Sequence, residues 1–145
     1  MRHCAQQTLL WLVAISLAGG CDKEKGLGGV VGFSTGTEEP GPVPADGTSP
    51  DAPQVTGLTL KKLAILNGEP LAVEVSFKDT QGDLATIYFG IERENVHYML
   101  PVTIAQGNTS GTISLELYPR NYVEGTYHLV VSLADTAGNI SAAVK

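Results

Sequence analysis

Cys4 and Cys21 carry the only thiols of this chain, and both lie near its start. A disulfide framework or a cysteine-rich metal site is thereby excluded from the rest of the sequence. Four hard-oxygen side chains, Asp79, Asp83, Asp135 and Asn139, fall in two separate turn-like segments. If those segments meet at one end of a fold, their oxygens suit calcium, which takes about six to eight. Beside Gly82 and Gly138 the same residues suit turns, where Asp and Asn bond local backbone and tolerate left-handed conformations. No complete ligand string accompanies them, and the turn role needs none. His97 and His128 alternate with apolar neighbours and are expected on outward, solvated faces. Zinc asks for three or four ligands, and nothing else supplies them. No nucleophile elbow, phosphate-cradling glycine loop or His-Glu helix motif occurs, so catalysis is not expected. With 9 Lys+Arg against 15 Asp+Glu, a formal charge of -6 and no basic stripe, nucleic acid is excluded as a partner.

The element that holds Cys21 is an amino-terminal leader. Met1, Arg2 and His3 make a short basic head, Leu9 to Leu17 an apolar stretch, and Ala18, Gly19 and Gly20 a small-residue run that stops at Cys21. This is the grammar of a removable signal peptide over residues 1–20. The apolar stretch has nine residues, whereas about 20 are needed to span a bilayer as a helix. Leu17-Ala-Gly-Gly-Cys21 resembles the lipobox of bacterial lipoproteins, with Leu17 one place earlier than the commonest pattern. The resemblance implies cleavage before Cys21 and a diacylglycerol on its sulfur, which anchors the chain to a membrane facing the periplasm or the exterior. Two or three acyl chains hold firmly where one is marginal. Asp22, next to the cysteine, resembles the inner-membrane retention signal of enteric lipoproteins, and the choice between inner and outer membrane stays open. An ordinary secretory signal, with Cys21 a leftover thiol, is the alternative.

From Cys21 to Pro53 the composition is that of a tether. Residues 22–53 hold seven glycines, five prolines and six carboxylates against two lysines. Such a segment cannot bury a core and is expected to be a flexible, acidic linker, with a coil span of roughly 30 Å. Val30-Val-Gly-Phe33 is its one apolar patch.

Residues 54–145 read as an all-β domain. Period-two alternation recurs about every ten residues between turn signals, which points to an antiparallel sandwich of about seven strands. In Leu71 to Lys78, Leu71, Val73, Val75 and Phe77 face a core and the residues between them face away. Further strands are expected over 57–66, 84–91, 96–104, 112–117, 126–133 and 140–144. Ile113, Leu115 and Leu117 should point inward, as should Tyr127, Leu129, Val131 and Leu133.

Residues 124–141, EGTYHLVVSLADTAGNIS, resemble the penultimate strand, loop and final strand of bacterial immunoglobulin-like and fibronectin-III-like domains; residues 76–84 resemble their second-to-third strand junction. The resemblance implies an immunoglobulin-like β-sandwich and a tyrosine corner at Tyr127, its hydroxyl reaching backbone near residues 119–122. It also brings the loops of Asp79 and Asp135 to one end, where cadherin-like relatives hold calcium. The superfold hosts many roles and assigns none by itself. The expected function is display of a binding or adhesion module from the cell envelope toward a protein or an envelope glycan. Tyr88, Tyr98 and Tyr122 are the expected solvent-facing contact residues, because tyrosine offers large area at little entropy loss. A calcium-stabilised adhesion module and an accessory subunit of an envelope complex are the alternatives.

Overall fold

Leu71–Lys78 alternates apolar and polar side chains, and the resulting strand buries Val73, Val75 and Phe77 while Glu74 and Ser76 face outward and Lys78 is exposed. The same rule places most of the other strands. The computed structural model describes residues 13–14, 37–66, 69–105, 107–117 and 125–145. Cys21, Asp22, Tyr122, the 30–33 patch and the backbone expected to receive the Tyr127 hydroxyl lie outside these residues.

The strands are β1 (Val13–Ala14), β2 (Thr37–Pro40), β3 (Gln54–Leu60), β4 (Leu71–Lys78), β5 (Leu84–Ile91), β6 (Val96–Pro101), β7 (Ser110–Leu117) and β8 (Leu129–Asp135). They form two antiparallel sheets, ordered β1-β7-β4-β3 and β2-β6-β5-β8. No helix occurs among the described residues. One apolar cluster lies between the sheets, drawing Val73, Val75, Phe77, Ile113, Leu115 and Leu117 from one and Ile87, Phe89, Tyr98, Leu100, Val131 and Leu133 from the other. The fold is therefore all-β and arranged as a sandwich, in which each sheet buries one face against the other.

Boundaries differ from the sequence reading at several points. The first strand of the domain runs 54–60 rather than 57–66, with a register shift between Val55 and Gly57. Strand β6 stops at Pro101, β8 spans 129–135, and the expected 140–144 strand is reduced to two isolated bridges, Ala134 with Ile140 and Val131 with Val144. Tyr127 precedes β8 and is 41% exposed, so it does not take the inward place expected of it.

The largest correction concerns the tether. Residues 37–53 lie on the sandwich. Thr37–Pro40 pairs with β6, Glu38 opposite Tyr98 and Pro40 opposite Val96. From Gly41, whose N–H donates to Asn95 O at 2.8 Å, the chain crosses the outer face of the second sheet. Ser132 Oγ donates to Pro44 O at 2.5 Å, and Asp46 and Gly47 donate to Ser141 O and Ile140 O at 3.2 and 2.8 Å. Ala52 and Pro53 are buried where the strap reaches β3. Proline suits this path because the strap needs carbonyl acceptors here rather than a full ladder of donors. Close approach is required as well: a Cβ on Gly90 would sit 2.9 Å from Val43 Cγ2 and 3.1 Å from Val96 O. Covered on both faces, β8 is buried at every position, including outward-facing Val130, Ser132 and Ala134.

Candidate functional site

Three connections meet at one end of the sandwich: the β4–β5 turn, the β6–β7 loop and the turn after β8. Asp79 N–H donates to Thr109 O at 2.8 Å, Gly107 N–H to Gly82 O at 3.4 Å, and Thr136 N–H to Asp83 O at 3.1 Å. The strap joins them, since Gln81 Nε2 donates to Asp51 Oδ1 at 2.9 Å. Gly82 has φ +68, and a Cβ there would lie 2.9 Å from the backbone of Gly107, so the contact requires glycine twice over.

The expected oxygen donors thus come to the same end, and their hydrogen bonds say what they do there. Asp79 is buried; its Oδ1 accepts from Gln81 N–H at 3.2 Å and its Oδ2 from Asp83 N–H at 2.9 Å. Asp135, also buried, accepts from Asn139 N–H at 2.8 Å and from Asn139 Nδ2 at 2.7 Å. Thr136 Oγ1 donates to Asp83 Oδ2, and Asp83 Oδ1 is buried with no partner among the described residues. These are the local bonds of turn-forming carboxylates. A calcium shell needs about six to eight oxygens directed at one point, and most of these oxygens are directed at backbone amides instead. Among the described residues no group of three or more His, Cys, Asp or Glu side chains is placed to hold a metal ion.

Of the expected contact tyrosines, Tyr98 is buried, in contrast to the solvent-facing position read from sequence. Its ring stacks on Phe89 with centroids 5.5 Å apart, and its hydroxyl donates to Glu38 Oε2 at 3.2 Å. Neighbours in a strand face opposite ways, so with Tyr98 inward His97 faces outward. Yet His97 is also buried, in contrast to the solvated site expected, because the strap covers it: its Nδ1 lies 3.0 Å from Gly41 O. A carbonyl only accepts, so that nitrogen carries the proton. Tyr88 is half-buried and meets His97 edge-on, with ring centroids 5.8 Å apart, and His128 is exposed as expected.

Burial first, and then the Glu38 charge beside it, raise the Tyr98 pKa well above its ordinary 10.0. Below that value the phenol is neutral in both folded and unfolded chains. Above it the unfolded chain ionises while the folded one keeps its proton, so stability falls as pH rises past 10. Tyr98→Phe is expected to flatten this alkaline loss, at a cost near neutrality of about 1 kcal/mol for the lost hydrogen bond. Urea midpoints of both proteins across that range give the comparison, and equal alkaline slopes would refute the assignment.

The feature sequence reading missed is the segment after β3. Leu63 is 94% and Leu66 74% exposed, beside Lys61 and Lys62. Its lack of period-two alternation, Lys-Lys-Leu-Ala-Ile-Leu, was the available signal. Comparisons with family models, curated proteins and solved structures find no match.

Proposed function

We propose that this chain is a lipid-anchored protein of the bacterial cell envelope, displaying one immunoglobulin-like sandwich that works by binding or adhesion rather than by catalysis. The observation that carries the reading is Leu17-Ala-Gly-Gly-Cys21 at the end of an apolar stretch too short to span a bilayer. Strand order supports the second half. Counting from β3, one sheet joins the first, second and fifth strands, and the other joins the third, fourth and sixth. An immunoglobulin-like sandwich divides its strands in this way when the fourth lies on the sheet of the third, which supports the reading. In the unprocessed chain Val13–Ala14 lies against Leu117 and Glu116 of β7; cleavage before Cys21 removes it. Residues 22–36 then remain as the spacer, shorter than composition alone indicates because the strap belongs to the domain.

Intact-mass measurement on protein isolated from membranes tests the anchor. The expected species begins at Cys21 and carries the mass of a diacylglycerol, and Cys21→Ser is expected to lose that mass and accumulate with its leader attached. A soluble, unmodified wild-type protein would overturn the reading.

A further inference from the structure

Resting on the anchor just proposed, we infer that the 61–66 segment is a second membrane contact, which seats the domain tip on an anionic bilayer surface. Leu63 and Leu66, three positions apart in one loop, pack on little else among the described residues. Their flanking residues indicate what covers them. Lys62 is exposed and makes no ion pair among the described residues, while Lys61 pairs with Glu74 at 2.8 Å. Two carboxylates at this end are paired, Glu74 with Lys61 and Glu92 with Lys145, while Glu69 Oε2 accepts from Leu66 N–H at 3.0 Å and keeps its charge. A protein of net charge -6 presents, in this loop, two exposed leucines preceded by the exposed Lys61 and Lys62. That combination matches the boundary between acyl chains and anionic headgroups, where apolar side chains sink and lysines stay at the surface.

Chain length permits it. Fifteen residues, Asp22 to Gly36, separate Cys21 from β2. They span roughly 20 Å as a coil and at most about 50 Å extended. Thr37 enters opposite Met99, and β2 then runs toward Val96, the end of the sandwich at which Leu60 and Leu71 flank the loop. From Met99 to Val96 is about 10 Å, so the spacer can hold that tip at the bilayer without straining.

The test uses the processed, acylated chain with a single reporter thiol, Leu63→Cys, labelled with an environment-sensitive fluorophore. A Thr103→Cys chain, labelled at the opposite end, is the control. Both are reconstituted into vesicles of phosphatidylethanolamine and phosphatidylglycerol with brominated acyl chains as quencher. The expected result is a blue shift and loss of fluorescence at position 63 and neither at 103. Adding Lys62→Glu and Leu66→Ser, both exposed and so harmless to the fold, should restore the aqueous signal at 63. A chain that floats with the vesicles while position 63 stays in water overturns the contact and leaves the anchor standing. A chain that does not float, with Cys21 unacylated by mass, overturns both. A blue shift that grows with protein concentration and ignores the brominated lipid identifies a second copy as the occupant and also overturns the proposal.

Discussion

Asp79→Ala is expected to destabilise the domain by about 2–4 kcal/mol, although Asp79 sits in a turn where an alanine meets no clash. The estimate follows from its two acceptor oxygens. Each holds a backbone N–H of the β4–β5 turn, from Gln81 and Asp83, and the side chain is only 1% exposed. Truncation leaves both amides without their partner, at roughly 1–3 kcal/mol each, and part of that returns as water enters the loosened turn. Asp79→Asn keeps one acceptor and should cost about half as much. Because the Asp79 N–H also bonds Thr109 O, the loss should spread to the β6–β7 loop as faster amide exchange there. Chemical denaturation followed by circular dichroism, with a chelator and with added calcium, gives the numbers. A deficit seen only in the presence of calcium would restore the ion reading in place of loop closure.

Phe89→Ala should be larger, about 3–5 kcal/mol, the usual cost of emptying a fully buried phenylalanine site. Phe89 is fully buried and stacks on Tyr98 at an interplanar angle of 21°. Collapse around the void is restricted because the outer side of this sheet already carries the strap at Gly90, where Val43 packs. Against a total of about 5–15 kcal/mol for a domain, the variant should melt some tens of degrees lower or fail to fold, and Phe89→Leu serves as the milder control. The only tryptophan, Trp11, lies upstream of the sandwich strands β2 to β8, so circular dichroism rather than tryptophan emission must report unfolding. A change below about 1 kcal/mol would show that the site is not the packed centre described.

The strands that were legible in the sequence are those with one wet face. In β4 and β7 the buried residues, Val73, Val75, Phe77, Ile113, Leu115 and Leu117, follow the period of two without exception. Legibility failed where a second layer of chain covers the outward face. Val130, Ser132 and Ala134 interrupt the apolar alternation of β8 because the strap dries that side. His97 looked solvated for the same reason. The strap itself was hidden by composition: Gly41, Pro42, Pro44 and Gly47 are what a free linker contains, and only the partners Asn95, Ser132, Ile140 and Ser141 distinguish a docked path from a loose one. Those partners lie between 54 and 95 residues further along the chain, beyond the reach of local periodicity. At the candidate site, the turn-forming role of Asp79, Asp83 and Asp135 was readable from adjoining glycines, whereas the burial of Tyr98 depended on which side of β6 faces inward.

Strand β2 has a consequence for the protein at high surface density. In the proposed anchored form, copies on one membrane meet in two dimensions, and an unpaired sheet margin invites neighbours to join edge to edge. On the β6 side that margin is closed by Thr-Glu-Glu-Pro, two carboxylates that repel an incoming copy and a proline with no N–H to offer it. The sequence that brings the polypeptide onto the domain thereby also guards this flank against aggregation, and molecules can crowd there while remaining separate.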